Sequence, residues 1–563
     1  MHGILRDHGH MHAGHVHVKG WWRDVQEHEG RVPADDPRFG GGAAPPLRHP
    51  DVSVCRWRAA AREHGVELLA GRPQSDGDAG TRGDRQGPRS GPAVPRSSVQ
   101  AGGPGQCRAG CVADSSGGRP PGTVTGFLAL LGLTRAGFTA PSFAMFTHLV
   151  TGWVCAPGRR TVTAMITAGD PAGRRAHDAY HRFVRDGAWS MHRLWQVLTR
   201  HLVTRFCPDG AIELACDAPP QAGGAPSLFH HEGRKVAGAG VFRDAVRSTL
   251  KKVVYARGLN LVVITLTVHP PWGGWTIALP DGVRVHRKHD ATTTVANAET
   301  MLDQIASWLP GQRVHVVTDG AYATLAGADL ARVDVTSRMR RDAALYKPAP
   351  PRTGRRGRPR LRGERLPTPA QLSEQTLNDQ WTTIRADQRG TTITRMVHTR
   401  DVLRYKVNRH ALVRLVIVRD PAGVQPDDYI VTTDRHASAA DVVSRYGDRW
   451  SVEVCFRDVK QFLGGDQPQS WTRRGPERAA ALALWLHATT WCWYLTSHPD
   501  GQTWTPRPWY PRKKTPSFLD ALATLRRTLW AQRITHMPSP TGEDQQTTAV
   551  LTEAVRVRSD LAR

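Results

Sequence analysis

Three things are scarce in this chain of 563 residues, and each scarcity removes a class of protein from consideration. Acidic residues are outnumbered, with 50 Asp and Glu against 76 Lys and Arg and a formal charge of +26. That imbalance favours a polyanionic partner through phosphate neutralisation and counterion release, with nucleic acid ahead of an anionic membrane surface. Cysteines number eight, and only Cys107 and Cys111 lie close together, with no companion pair at zinc-site spacing. The expectation is a reduced, cytoplasmic protein without a disulfide framework or zinc module. Long apolar runs are also missing. The most apolar stretch, Ala479 to Leu495, carries His487, Thr489 and Thr490 and falls short of the roughly 20 uniformly apolar residues of a membrane span. It reads as a buried helix, and the His- and Gly-rich N-terminus lacks the apolar core of a signal peptide.

Leucine and isoleucine are nearly absent from residues 1–120, occurring only at Ile4, Leu5, Leu47, Leu68 and Leu69. So little apolar surface cannot offset the entropy of ordering a chain, so this low-complexity leader is expected to be disordered. Its histidines at 2, 8, 10, 12, 15 and 17 could take up a transition metal, but a plain polar tail is the preferred reading. The leader is expected to be upstream sequence read through from an early start codon rather than part of the enzyme.

From Val124 the texture changes. Phe127, Leu128, Leu131, Phe143, Phe146, Leu149, Tyr180, Phe183, Leu194, Trp195 and Leu198 recur at three- and four-residue intervals, predicting a helical domain over 124–207; it is either a cap over the core that follows or, as the family resemblance given below implies, a DNA-binding domain. Residues 208–340 then alternate. AIELACD (211–217) is a short strand ending in Asp217, LNLVVITLTV (259–268) a central strand, WTIAL (275–279) a third, and 293–309 an amphipathic helix. RVHVVTDGAY is a buried strand ending at Asp319, where Gly320 lets the chain turn into an expected helix AYATLAGADLA. Residues 341–435 hold a basic segment and a β-rich insertion with strands expected in TTITRMVHTRDV, LVRLVIV and DDYIVTT. From Arg338 to Arg365 there are eleven Arg or Lys against two acids. Within it, RGRPR (Arg356, Arg358, Arg360) is similar to an AT-hook and is expected to touch the DNA backbone or minor groove. Residues 436–535 supply further helices, over 476–495 and 517–530, and 536–563 is left as a tail.

The most informative stretch is YGDRWSVEVCFRDVK, 446–460. On one continuous helix Tyr446, Arg449, Glu453 and Lys460 fall within about 60° of one another. A phenol, a guanidinium, a carboxylate and an ammonium on one stripe suit a phosphodiester held near metal, with Trp450, Val452, Phe456, Val459 and Phe462 left to face a core.

The spacing Y-x2-R-x3-E-x6-K resembles the signature of the YREK group of DDE transposases of bacterial insertion sequences, over about residues 124–535. The resemblance implies an α/β fold, a ribonuclease H-like mixed sheet with a β-strand-rich insertion. It also implies a catalytic triad of Asp217, Asp319 and Glu453 as ligands for two Mg2+ ions, with Mn2+ as substitute. Tyr446, Arg449 and Lys460 would contact phosphates near the cut. The implied partner is double-stranded DNA, as transposon ends and target, with no membrane, a homodimer admitted in the DNA complex and a nucleoid-associated location. Relatives can pass through a hairpin end with a flipped base. One departure from the family pattern is the stretch APPQAGGAPSLFHHEG after Asp217, where a second acid or Thr and a basic turn are usual. The competing readings are a catalytically inactive DNA-binding derivative, a nuclease without sequence preference, and a basic membrane-associated protein.

Overall fold

The computed structural model describes residues 124–535, apart from 209, 218–227, 245–246, 250, 352–359, 505–507 and 509. The leader, the tail and residues 218–227 of the stretch after Asp217 lie outside the described residues. Among the described residues five helices come first: α1 (Val124–Leu133), α2 (Ala140–Cys155), α3 (Val162–Gly169), α4 (His177–Asp186) and α5 (Met191–Phe206). Local chemistry sets their starts. Thr139 and Thr161 accept from the backbone N–H groups of Ser142 and Ala164, capping α2 and α3. The two helices cross in direct contact because glycine stands at both points of closest approach. A Cβ on Gly152 would sit 2.0 Å from the Met165 carbonyl oxygen, and one on Gly169 2.0 Å from that of His148.

The sheet comes next, with β1 (Ile212–Asp217), β2 (Leu228–His230), β3 (Gly240–Arg243), β4 (Tyr255–Val268) and β5 (Ile277–His286). After them stand α6 (Thr294–Trp308), β6 (Val314–Thr318), a 3-10 helix (Gly320–Gly327) and β7 (Val333–Arg338). β4 pairs antiparallel with both β1 and β5, whereas β1, β6 and β7 run parallel, giving a central order β5-β4-β1-β6-β7. This mixed sheet is ribonuclease H-like. β1 and β6 sit inside it with nearly every residue buried, as a strand covered on both faces requires.

The insertion adds a small hairpin, β8 (Leu345–Tyr346) with β9 (Arg365–Leu366), then α7 (Pro369–Gln375). It continues with β10 (Thr382–Gln388), β11 (Thr391–Val402), β12 (Val413–Arg419) and β13 (Asp428–Thr432). These last four form an antiparallel meander that joins the edge of β7 through β13, so the insertion and the central sheet are one continuous surface. The three strands expected from sequence are present, and β10 is an addition to them.

The described residues close with α8 (Ala439–Asp448), α9 (Ser451–Gln461), α10 (Gly475–Ser497) and α11 (Phe518–Thr535). α10 buries 20 of its 23 residues, which explains its lack of a polar face. No described helix is long and apolar enough to cross a membrane. The first five helices share one hydrophobic core with the sheet and with α9, α10 and α11, through residues such as Phe146, Leu202, Ile264, Phe456, Trp485 and Leu525. Arg478 ties the two helical ends together, donating from its guanidinium to the carbonyls of Val184, Gly187 and Trp189.

Two expectations are corrected. The segment after Asp319 is a 3-10 helix ending at Gly327, not an α-helix running to residue 331. A Cβ at Gly327 would lie 1.8 Å from the Val407 carbonyl oxygen, so the insertion packs hard against this turn. The stretch 446–460 is not one helix but two. α8 ends at Asp448 and α9 begins at Ser451. At the joint the Trp450, Val452 and Glu453 amides donate to carbonyls only three residues back, at 3.0–3.3 Å, the tightened pattern of a 3-10 turn.

Candidate active site

Asp217 and Asp319 are brought together by strand register. Cys216 pairs with Thr318 across parallel β1 and β6, so Asp217, the last residue of β1, stands beside Asp319, the first residue after β6. Adjacent strands lie about 4.8 Å apart, so the two carboxylates issue side by side from the carboxyl ends of the sheet, where α/β folds bind their ligands. Asp217 is buried. Asp319 is half-buried and caps the 3-10 helix, its Oδ1 accepting from the Gly320 amide at 2.6 Å.

Glu453 arrives from the other side, in the first turn of α9, where a carboxylate is favoured by the helix dipole. Val452, Cys455, Phe456 and Val459 pack α9 into the main core and fix its height over the sheet. Arg449, in the joint between α8 and α9, lies between the acids: its guanidinium is 3.6 Å from Asp217 Oδ2 and 3.5 Å from Glu453 Oε1. Burial works to lower the Arg449 pKa, but Tyr446, Asp217, Glu453 and Asp319 outweigh it and hold the guanidinium more firmly charged than usual. Glu453 shows the converse. Burial pushes its carboxyl above the ordinary range, against the pull of Arg449 and Arg389, and Asp319 adds to the rise. Of the three acids expected from sequence, Asp217 and Glu453 flank the Arg449 guanidinium, and Asp319 is near enough to influence the charge of Arg449 and Glu453.

The rest of the stripe divides. Tyr446 is half-buried on α8 beneath Arg449, whose guanidinium carbon lies 5.8 Å from its ring centroid; burial raises its phenol pKa. Lys460 donates to the Leu228 carbonyl at 2.7 Å beside the Phe229 ring. Its burial lowers the ammonium pKa to about 8. Of the AT-hook-like arginines, Arg356 and Arg358 lie outside the described residues, and Arg360 is exposed.

Sequence reasoning passed over several charged groups near this centre. Asp448, buried at the end of α8, has its carboxyl raised to about 6 by burial, with His269 acting against the shift. Arg445 pairs with Glu213 of β1 at 2.8 Å and bolts α8 to the sheet. A separate group, His315, Asp334 and Asp434, has ligand-capable atoms all within 4.8 Å of one another. It lies at the opposite end of β6, about 13 Å along the strand from Asp319 at 3.3 Å per residue. Its members are already engaged by the protein: His315 with the Thr336 hydroxyl, Asp334 with Arg313, and Asp434 with the amides of His436 and Ala437.

Asp217, Asp319 and Glu453 are hard oxygen donors of the kind that hold Mg2+ or Mn2+. The Arg449 contacts to Asp217 and Glu453, at 3.6 and 3.5 Å, are longer than the 2.7–2.9 Å of a tight charge-assisted hydrogen bond. The chemistry of this donor set fits a divalent ion.

Residues 133–394 match the family model of the DDE superfamily endonucleases. This stretch is similar to a DDE superfamily endonuclease domain. The match begins in α1, takes in Asp217 and Asp319, and ends inside β11, before the helix that carries Glu453. No curated protein matches the chain significantly.

Proposed function

We propose that the chain is a transposase of the YREK group, catalysing divalent-metal-dependent DNA strand cleavage and strand transfer at the ends of an insertion sequence. What supports the reading is the meeting of Asp217, Asp319 and Glu453 around Arg449, on a DDE endonuclease-like domain whose chain carries a large positive charge. Cleavage and joining are the same phosphoryl transfer with different nucleophiles. In cleavage the oxygen of water attacks a backbone phosphorus, the bond to the 3′ oxygen breaks, and that oxygen takes up a proton to leave a DNA 3′ hydroxyl. In transfer this hydroxyl attacks a phosphorus of the target. No covalent link between protein and DNA is needed, so Tyr446 packs beneath Arg449 rather than acting as a nucleophile.

In this reading Asp217, Asp319 and Glu453 hold two divalent ions, which when bound favour deprotonation of the attacking oxygen and offset charge on the leaving one. Arg449 keeps the buried carboxylates ionised and oriented, and lies next to the position of the reacting phosphate. Lys460 anchors α9 to the Leu228–His230 strand, which makes it a positioning residue. The substrate is double-stranded DNA at the element's ends and then at the target, bound by a homodimer in the nucleoid. The test is incubation of purified protein with Mg2+ and DNA carrying the inverted repeats that flank its gene. Specific nicks at the repeat ends, abolished by Asp319→Ala, are expected. Cutting that ignores the repeats would replace this reading with a general nuclease, and binding without cutting would replace it with an inactive derivative.

A further inference from the structure

The turn between β10 and β11 is two residues long, Arg389 and Gly390, flanked by the pair Gln388 and Thr391. Both turn residues have positive φ, 53° and 71°. Two such residues in a hairpin loop make the turn type that favours Asn, Asp or Gly at its first position. An arginine there is strained, and strain held at one site in a well-packed hairpin is a pointer to use. The tip is not loose. A Cβ on Gly390 would lie 2.4 Å from the Gly274 carbonyl carbon, the Asp387 amide donates to the Ser444 hydroxyl, and the Gln388 amide group donates to the Val443 carbonyl.

This docking carries Arg389 from the insertion to the acids. Its guanidinium carbon lies 4.6 Å from the Trp450 ring centroid and 5.6 Å from that of Trp275, a residue 46% exposed. The backbone N–H of Arg389 bonds the Asp448 carboxylate. Its side chain is near enough to Glu453 and Arg449 for both to influence its charge. Other cations around the centre already have protein partners: Arg449 with Asp217 and Glu453, Arg445 with Glu213, and Arg338 with Asp428. Among the described residues, Arg389 has ring faces on its guanidinium and no carboxylate or carbonyl bonded to it. A guanidinium held by two indoles keeps its donors available, and its fork matches the two free oxygens of a phosphodiester.

We propose that Arg389 is a phosphate-binding residue of the active site, supplied by the β-insertion, which takes hold of a DNA backbone phosphate beside the reacting one. The proposal rests on the reading of Asp217, Asp319 and Glu453 as the metal ligands. It gives the insertion a direct part in substrate binding.

The experiment measures binding of the full chain to a labelled duplex copied from the DNA that flanks its gene, in Ca2+ over a series of salt concentrations, and nicking of the same duplex in Mg2+. Arg389→Gln is expected to weaken binding at low salt by about tenfold and to flatten the slope of log Kd against log salt by about one unit, the signature of one lost phosphate contact. Arg389→Lys keeps the charge and is expected to retain most of that slope. Glu453→Gln should abolish nicking and leave the slope unchanged. An unchanged slope in Arg389→Gln overturns the proposal, as does an equal loss in Arg389→Lys and Arg389→Gln accompanied by a lowered melting temperature, which would make the arginine a structural brace. Nicking that persists in Glu453→Gln overturns the metal-ligand reading instead, so the two failures are distinguishable.

Discussion

Replacing Arg449 with glutamine removes the cation that lies between Asp217 and Glu453. At 3.6 and 3.5 Å, each attraction is worth about 5 kcal/mol at an effective dielectric constant near 20. Burying the guanidinium and the acids cancels much of this, and the net cost of leaving such a buried set unpaired is about 3–5 kcal/mol. Because Arg449 and both carboxylates are largely buried, little of the loss should be screened by salt. Urea unfolding of Arg449→Gln in EDTA should therefore shift to markedly lower urea. Mg2+ should restore much of the loss, since a divalent ion binding only the folded chain at a hundredfold excess over its Kd adds about 2.7 kcal/mol. The same Mg2+ should stabilise wild type less, because there the ion competes with an internal guanidinium. Unfolding of the variant at the wild-type urea concentration in EDTA, or an equal Mg2+ gain in both proteins, would refute the argument.

Asp281, wholly buried in β5 against the Thr199 hydroxyl, has its carboxyl raised to about 7 by burial, the hydroxyl opposing the rise. Its contribution to stability is thus fully present below the unfolded carboxyl pKa and is lost as pH climbs to about 7. Asp281→Asn should gain about 2–3 kcal/mol on wild type between pH 5 and pH 8 in paired urea titrations, and a constant difference would count against a neutral Asp281. Gly152→Ala should cost at least 1–3 kcal/mol, roughly, because the obstacle to the new methyl is the Met165 backbone; a melting temperature equal to wild type would show that α2 and α3 can part freely. Arg445→Met should loosen the Glu213 anchor of α8 and raise hydrogen exchange along residues 439–448, whereas unchanged protection there would mean that the hydrophobic contacts of Val442 and Val443 suffice.

The two aspartates were legible because each closes a run of strand-forming residues, and a parallel register then forces neighbouring strand ends to share a face. Glu453 was legible from its spacing to Tyr446, Arg449 and Lys460, although the helix assumed for that spacing is broken. Arg449 and Trp450 keep right-handed helical dihedrals through the joint, so neither a proline nor a residue of positive φ marks it. The 3-10 helix after Asp319 was hidden for a similar reason: AYATLAGADLA has good helix formers, and the Val407 backbone that limits it comes from far along the chain. In β5 the residues LPDG read as a turn, so the third strand was expected to stop at Leu279. Instead it runs on to His286, past a register shift opposite Ile264 and Thr265, and carries Asp281 into the core. Arg389 could not be found from sequence. TTIRADQ has too few apolar residues to announce β10, and the docking of its turn against Gly274 and Ser444 is a long-range event.

The most direct test of the central claim is anomalous diffraction from crystals of the full chain grown or soaked with Mn2+. The account predicts manganese within coordination distance of the Asp217, Asp319 and Glu453 carboxylates, with Arg449 displaced from between them, and its loss in Asp319→Asn crystals. Manganese seated only among His315, Asp334 and Asp434, with the Arg449 cluster undisturbed, would contradict it.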